Sequence, residues 1–139
     1  MNYHETAITV RFNEVDSYQV AWHGHYVSWM EIGRNALADQ FDLGAFQLME
    51  AGFLGPVVGL ELKFLSPARY NDQLTIRTTM KRTDTATLTF VSTIVGSDGT
   101  RLAVGTTTHA LTDRSGTLQF QLPSVIAERV YRLLEWLGV

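Results

Sequence analysis

The sequence predicts an α+β fold in which a curved antiparallel sheet wraps around one long central helix, with a second helix at the C-terminus. Two observations carry this prediction. Residues 24–41 are apolar around most of a helical circumference, as expected of a helix enclosed by other structure. Several later segments alternate apolar and polar residues, as expected of an antiparallel sheet that is covered on one face. The economical packing places that helix against the covered face.

The N-terminal third of the chain predicts one strand, one loop and the long helix. Residues 6–12 alternate well enough for a first strand, and residues 13–23 lack a clean period and are interpreted as a loop. From Gly24 to about Phe41 only three residues carry charge, so this segment predicts a helix that is buried on most sides. Gly44 marks the end of the helix or the turn after it.

The remainder of the chain predicts a run of strands and then the C-terminal helix. Ser97-Asp98-Gly99 is a hairpin signal, because Asp-Gly tolerates the positive φ angles of a tight turn. Ser124 is a candidate N-cap for a helix with a regular apolar stripe. The strand-like segments are residues 57–65, 73–82, 85–96 and 100–112.

Composition bounds the class of protein. The 139 residues suffice for one domain, so we expect a single domain over 1–139. The absence of cysteine excludes disulfides, thiolate metal sites and a cysteine nucleophile. The net charge of −3 without a basic stripe gives no reason to expect a nucleic-acid partner. The first twelve residues carry His4 and Glu5 and no apolar run, so we expect no signal peptide, and no stretch of the sequence approaches the ~18 apolar residues of a membrane span. These features predict a soluble cytoplasmic protein.

The segment 16–26, DSYQVAWHGHY, raises a functional question, because it places an aspartate and two histidines before the predicted helix. A metal site built from Asp16, His23 and His25 is one interpretation. Histidines two residues apart point to opposite sides of a strand and lie about 200° apart on a helix, so they rarely converge on one ion. We therefore expect no metal. The plainest alternative is that Asp16 forms a turn and His23 or Gly24 begins an ordinary core helix.

A carboxylate facing a helix N-terminus is the third interpretation. The first turn of a helix carries unpaired N–H groups and a partial positive charge, which can stabilise an oxyanion. Gly24 has no side chain that would block a ligand there, and Asp16 lies seven residues before His23 in a loop that can fold back. A carboxylate and such an oxyanion hole suffice for acyl transfer to water, with Asp16 as general base or nucleophile.

Two motifs resemble those of a known family. The segment FNEVDSYQVAWHGHYVSWMEIGR resembles the signature of the hotdog-fold acyl-CoA thioesterases, in the 4-hydroxybenzoyl-CoA thioesterase-like group that includes the Tol-Pal-associated thioesterases. The later LKFLSPARYND looks like that family's motif ending in Pro-Ala-Arg-Tyr-Gly-Asp. The order of elements matches along nearly the whole chain. The motif of the first segment falls on Asp16, Val20, Trp22, His23, Tyr26, Glu31 and Arg34.

The resemblance implies a hotdog fold and hydrolysis of an acyl- or aroyl-CoA thioester. Asp16 would be the catalytic carboxylate, and the N–H of His23 would point at the thioester oxygen. Tyr26 and Glu31 would line or buttress the site, although Glu31 is equally expected to pair with Arg34 one turn on. Trp22 and Gly24 complete the predicted substrate-binding set of Trp22, Gly24, Tyr26 and Glu31.

Coenzyme A carries phosphates, so cations are expected near the mouth of the pocket. The candidates are Lys63, Arg69 and Arg82. The chain departs from the family at two glycines, which are Gln19 and Asn71 here. Asn71 is a mild change, since Asn tolerates left-handed backbone geometry, whereas Gln19 is expected to narrow or repurpose the acyl end of the pocket.

The expected partners are an acyl-CoA substrate and further copies of the chain. Exposed strand edges and apolar stripes predict a homodimer or homotetramer. No cofactor is expected, because the coenzyme A moiety belongs to the substrate. A non-catalytic acyl-CoA-binding module is the first alternative function. An acyl-CoA hydratase or dehydratase is the second, and the chain lacks the Pro-Gly-rich segment associated with those enzymes. The sequence leaves the acyl group open.

Overall fold

The computed structural model describes residues 2–139 and confirms the predicted fold class: a five-stranded antiparallel sheet lies against a long helix, and a second long helix ends the chain. The strands are β1 (His4–Thr9), β2 (Phe53–Leu54), β3 (Val57–Phe64), β4 (Gln73–Lys81), β5 (Thr87–Gly96), β6 (Arg101–Ala110) and β7 (Thr112–Asp113). The helices are α1 (His23–Gln40), α2 (Ala45–Glu50) and α3 (Ser124–Leu137), with a 3₁₀ turn at Phe12–Glu14.

The main sheet has the strand order β1-β4-β5-β6-β3, and β2 and β7 form a separate two-stranded ladder. The predicted hairpin between β5 and β6 is present, with Gly99 at a φ of 85° and the Thr100 N–H 3.0 Å from Asp98 Oδ1. Strand β1 ends at Thr9 rather than at residue 12, because Thr9 pairs with Gln73 and β4 begins there. A strand needs a neighbour to continue, which residue-level alternation does not reveal.

Helix α1 crosses the sheet in close contact with β4. A Cβ atom at Gly33 would lie 2.7 Å from Thr78 Oγ1 and 2.8 Å from Ile76 Cγ2, so this glycine permits the approach. The expectation that α1 is buried on most sides is wrong for the single chain. Val27 and Ile32 are 37% and 47% exposed, because the sheet covers only one side of the helix.

The apolar core has two regions that α1 joins. Leu37 and Ala38, near its end, belong to a region completed by α3. Tyr26 and Trp29, near its beginning, belong to a region formed with β4, β5, β6 and the loops around Ala21 and Ala68. The prediction that Ser124 caps α3 is wrong, because Ser124 is already the first helical residue and follows Pro123 at the cap position.

No helix within residues 2–139 combines the length and the apolar character that crossing a membrane requires.

Candidate active site

A tight turn presents Asp16 beside the start of α1. The N–H of Gln19 donates to the Asp16 carbonyl, and the Asp16 N–H donates to the Val20 carbonyl, each at 2.9 Å. Oδ1 of Asp16 accepts the Tyr18 N–H at 2.9 Å, so the side chain stabilises its own turn. The second carboxylate oxygen therefore remains for other chemistry. Gln19 has a φ of 65° and thus keeps the left-handed conformation that a glycine would adopt there.

The N-terminus of α1 is open at the residues where an oxyanion hole was predicted. His23 is the first helical residue, and Trp22 occupies the cap position without a side-chain hydrogen bond to the helix within the described chain. The first amides of a helix have no intrahelical acceptors. In α1 the His25 N–H already donates to the Trp22 carbonyl at 3.0 Å, so the amides of His23 and Gly24, with the partial positive charge of the helix start, are the ones that face a ligand oxygen.

Two hydrogen bonds hold Tyr26 of α1 and the segment at Ala21 against the neighbouring loop at Ala68. The buried hydroxyl of Tyr26 accepts the Ala68 N–H at 3.1 Å, and the Ala21 N–H donates to the Ala68 carbonyl at 2.7 Å. The ring of Tyr26 meets the ring of Phe64 edge to face at 5.0 Å. Burial raises the pKa of Tyr26, so its hydroxyl stays protonated at neutral pH.

These elements line an open cavity of about 430 Å³. Asp16 and His23 both line it, together with Tyr26, so the loop carboxylate and the helix start face one space. The rest of the lining is Tyr18, Val20, Ala21 and the segment 64–67. The tertiary structure thus brings together Asp16, His23 and Tyr26, which the sequence could only place in order along the chain.

Glu14 is a site-supporting residue that the sequence analysis missed. It is 4% exposed, and its carboxylate accepts the Arg11 N–H at 2.7 Å and the Trp29 indole N–H at 3.1 Å. Its carbonyl accepts the Trp22 N–H at 2.8 Å. Glu14 therefore ties the loop that carries Asp16 to helix α1. Its place inside the segment that resembles the thioesterase signature was the only available signal.

The other predicted substrate-binding residues lie elsewhere. The indole of Trp22 is 48% exposed and lies over Gly24, where a Cβ would fall 2.1 Å from the ring. Gly24 thus makes room for Trp22. Glu31 forms a bidentate ion pair with Arg34, as the spacing predicted, and lines a second cavity. These positions leave the predicted substrate-binding roles of Trp22, Gly24 and Glu31 as predictions.

The three basic residues that were predicted to bind the phosphates of coenzyme A lie far apart in the structure. Lys63 is exposed on β3 beside Phe64, and Arg69 is exposed on the wall of an open cavity that shares Asp16 with the first. Arg82 follows β4 at the opposite end of that strand, roughly 30 Å from its start. Its guanidinium donates to the Val139 carbonyl at 2.8 Å.

His23 and His25 flank the indole of Trp22, with ring centroids 4.9 Å and 5.5 Å from it. Within residues 2–139 no group of three or more metal-ligating side chains is arranged to hold an ion. The expectation that the protein uses no metal stays a prediction.

Proteins similar to this chain were found both among known sequences and among solved structures. A sequence 30% identical over 78 residues is the putative acyl-CoA thioesterase YneP of Bacillus subtilis; the match spans 56% of each protein. The solved structure of the hypothetical protein TT1821 from Thermus thermophilus is 28% identical with a TM-score of 0.82, covering 94% of this chain and 98% of that one. The DHNA-CoA thioesterase of Staphylococcus aureus, 19% identical, has a TM-score of 0.85 and covers 100% and 97%.

These structural neighbours confirm the hotdog fold that the motifs implied. The sequence model of the thioesterase-like superfamily matches residues 10–130, which include the Asp16 loop, α1 and four of the five strands of the main sheet, since β1 ends at Thr9. The predicted class, a thioesterase-type hydrolase, agrees with that match. The chain belongs to the thioesterase-like superfamily.

Proposed function

We propose that this protein hydrolyses acyl-CoA thioesters, with Asp16 as the catalytic carboxylate and the first amides of α1, at His23, as the oxyanion hole. The observation that carries the proposal is that Asp16 and His23 line the same cavity of about 430 Å³. Membership of the thioesterase-like superfamily supports it. The apolar part of the lining, Val20, Phe64 and Leu65, suits an acyl or aryl group.

In a general-base mechanism, Asp16 removes a proton from water while the water oxygen attacks the thioester carbonyl carbon. The amides of α1 stabilise the resulting oxyanion. The C–S bond then breaks, and the thiolate of coenzyme A receives the proton from Asp16. In the nucleophilic course, Asp16 attacks the carbonyl itself, coenzyme A leaves, and water hydrolyses the resulting mixed anhydride. Both courses yield a carboxylic acid and free coenzyme A.

Arg69 is the cation best placed to contact coenzyme A, because it lines the cavity that adjoins the main one at Asp16. Phe12 and Tyr70, exposed on the same wall with ring centroids 5.9 Å apart, offer an aromatic surface for the adenine. Arg82 lies at the far end of β4, bound to the C-terminal residue. We therefore expect Arg69→Ala to raise KM for acyl-CoA and Arg82→Ala to leave it unchanged.

The test of the proposal is release of free thiol from a panel of aromatic and aliphatic acyl-CoAs. Wild type is compared with Asp16→Asn, and Asp84→Asn, in an exposed loop, is the control. We expect Asp16→Asn to lower kcat by about 10²-fold or more, with an unchanged unfolding curve. Equal activity of wild type and Asp16→Asn would contradict the proposal.

The binding-module function remains the second candidate, since an Asp-lined apolar cavity can hold an acyl-CoA without turnover. Tight binding of an acyl-CoA without release of thiol would favour it. Conversion of an enoyl-CoA to a hydroxyacyl-CoA would favour the hydratase. The same panel, with calorimetric titration and product analysis, therefore distinguishes all three functions.

We propose further that the protein works as an assembly of identical chains joined at β3. This strand is one edge of the sheet, and an edge presents unpaired backbone groups to another strand. The opposite edge, β1, carries mostly polar residues. Exposed apolar side chains lie along β3, at Val57, Val58, Leu60 and Phe64, and the exposed side of α1 adds Val27 and Ile32. Phe64 also lines the Asp16 cavity, so a second copy there would enclose the site.

Light scattering during size-exclusion chromatography tests this assembly. We expect Val58→Glu on β3 to dissociate it and Ala7→Glu, exposed on β1, to leave it intact. An unchanged assembly in Val58→Glu would exclude β3 as the contact. The mass of the wild-type protein decides between dimer and tetramer.

A further inference from the structure

The turn that carries Asp16 stands between two cavities: the main cavity, which His23 also lines, and the adjoining cavity, which Arg69 lines. Within residues 2–139, Asp16 is the one residue that lines both. Tyr18 lines the main cavity and not the adjoining one, whereas Gln19, the next residue, lines the adjoining cavity and not the main one. The two cavities therefore meet at Asp16.

This arrangement orders the parts of a thioester substrate, and the inference drawn from it rests on the proposed function. There, Asp16 acts at the thioester carbonyl and Arg69 contacts coenzyme A. The thioester group joins the acyl group to coenzyme A, so it belongs at Asp16, where the cavities meet. With coenzyme A directed toward the adjoining cavity, the acyl group occupies the main cavity. The acyl carbons next to the carbonyl then pass the part of the wall nearest Asp16.

Tyr18 belongs to that part of the wall, with a fixed backbone and an uncovered side chain. Its N–H donates to Asp16 Oδ1 at 2.9 Å, so its backbone is held by the carboxylate itself. The residue is nevertheless 84% exposed, against 48% for Phe64 and 43% for Leu65, which line the same cavity. The chain thus leaves a large aromatic side chain open to solvent beside Asp16. A bound ligand therefore has access to it.

We propose that Tyr18 is a substrate-contacting residue that determines acyl specificity, because its ring packs against the acyl group of the bound thioester. Covering an aromatic ring removes apolar surface from water, and the gain grows with the area that is covered. An acetyl group offers one methyl group to the ring, whereas a hexanoyl or benzoyl group covers much more of it. Tyr18 therefore favours the larger acyl groups over acetyl.

Hydrolysis of acetyl-, hexanoyl- and benzoyl-CoA by wild type, Tyr18→Ala and Tyr18→Phe tests this specificity. We expect Tyr18→Ala to lower kcat/KM about tenfold for the hexanoyl and benzoyl thioesters, chiefly by raising KM, and less than about twofold for acetyl-CoA. Tyr18→Phe keeps the ring and should restore most of the loss. Tyr131→Ala is the matched control, since Tyr131 is exposed on α3 and does not line the main cavity. It should leave all three rates unchanged.

A thioester without the nucleotide distinguishes contact with the acyl group from contact with coenzyme A. Benzoyl-N-acetylcysteamine keeps the benzoyl group and only the sulfur end of the coenzyme. We expect Tyr18→Ala to lose as much kcat/KM with it as with benzoyl-CoA, whereas the effect of Arg69→Ala disappears. A loss in Tyr18→Ala that is confined to coenzyme A thioesters would overturn the proposal. Equal losses for acetyl- and benzoyl-CoA, or no loss with any substrate, would overturn it as well.

A binding measurement separates failure of this inference from failure of the proposed function. Benzoyl-CoA is titrated calorimetrically into Asp16→Asn, whose side-chain oxygen can still accept the Tyr18 N–H, and into the same protein with Tyr18→Ala. We expect Kd to be about tenfold larger in the second protein.

The two failures then give different results. If wild type releases no thiol but Kd still differs between these two proteins, the proposed function fails and the contact of Tyr18 with the acyl group stands. If thiol is released and Tyr18→Ala matches wild type with every substrate, the contact fails and the proposed function stands. Absence of binding for both benzoyl- and hexanoyl-CoA would overturn both.

Discussion

The indole N–H of Trp29 donates to the carboxylate of Glu14 at 3.1 Å, and this buried hydrogen bond joins α1 to the loop that carries Asp16. The other carboxylate oxygen accepts the Arg11 N–H. Both oxygens of Glu14 are therefore used inside the protein. The position of Asp16 relative to the start of α1 therefore depends on the Glu14 carboxylate, which does not line the Asp16 cavity.

Glu14→Gln tests this dependence. A glutamine accepts through one oxygen only, so one buried donor loses its partner. We expect the free energy of unfolding to fall by about 1–3 kcal/mol. The kcat for thioester hydrolysis should fall with it, because the Asp16 loop is less well fixed. Urea unfolding and steady-state kinetics measure the two effects. Glu128→Gln, exposed on α3, is the control. Unfolding curves of wild type and Glu14→Gln that coincide would refute the role of Glu14.

The same carboxylate predicts an acid-dependent stability. Burial favours the neutral form of Glu14, but hydrogen bonds from Arg11 and Trp29 and the Arg11 charge outweigh it, so the pKa of Glu14 lies below the usual value for a glutamate. The unfolded chain then binds the proton more readily. This contribution is present above about pH 4.5 and is lost as the pH falls through the folded pKa. The stability difference between wild type and Glu14→Gln should therefore shrink on acidification, measured by urea unfolding between about pH 6 and 3.5.

His109 predicts a separate pH effect. Burial lowers its pKa, and the nearby Arg34 charge lowers it further, whereas the Gly55 carbonyl and Glu31 raise it. The unfolded chain binds this proton near pH 6.5. The contribution of His109 to the free energy of unfolding is therefore fully present above about pH 6.5. It declines as the pH falls toward the pKa that His109 has in the folded protein. We expect His109→Asn to show a flatter stability profile between about pH 7 and 5. The other histidines remain in both proteins, so identical profiles would contradict the prediction.

Gln19 predicts a stabilising substitution. Its φ of 65° is unfavourable for a residue with a Cβ, so Gln19→Gly should raise the free energy of unfolding by about 0.5–1 kcal/mol. The kcat should be unchanged, since Gln19 does not line the cavity that holds His23. KM for acyl-CoA is measured beside it, because Gln19 lines the open cavity in which Arg69 is proposed to contact coenzyme A. Asn71→Gly, at a φ of 68°, is the comparison, and its gain should be smaller because Asn tolerates this conformation. A loss of activity in Gln19→Gly would show instead that its side chain contacts substrate.

The secondary structure could be predicted where periodicity and turn chemistry agreed. The long helix was placed within one residue at each end, and the Asp98-Gly99 turn was found, because both signals are local. The end of β1 and the cap of α3 were misplaced. The first depends on where β4 begins, and the second on the conformation at Pro123, and neither is encoded in the residues concerned.

The sequence by itself determined the class of fold, through alternation and an apolar helix, and it named Asp16, His23 and Tyr26 through the resemblance of one segment. Only the tertiary structure decided that these three residues line one cavity, that Glu31 lies in another, and that Glu14 holds the loop. The physical reason is distance along the chain. Periodicity reports which face of one element is apolar, whereas a cavity forms where elements far apart in sequence meet.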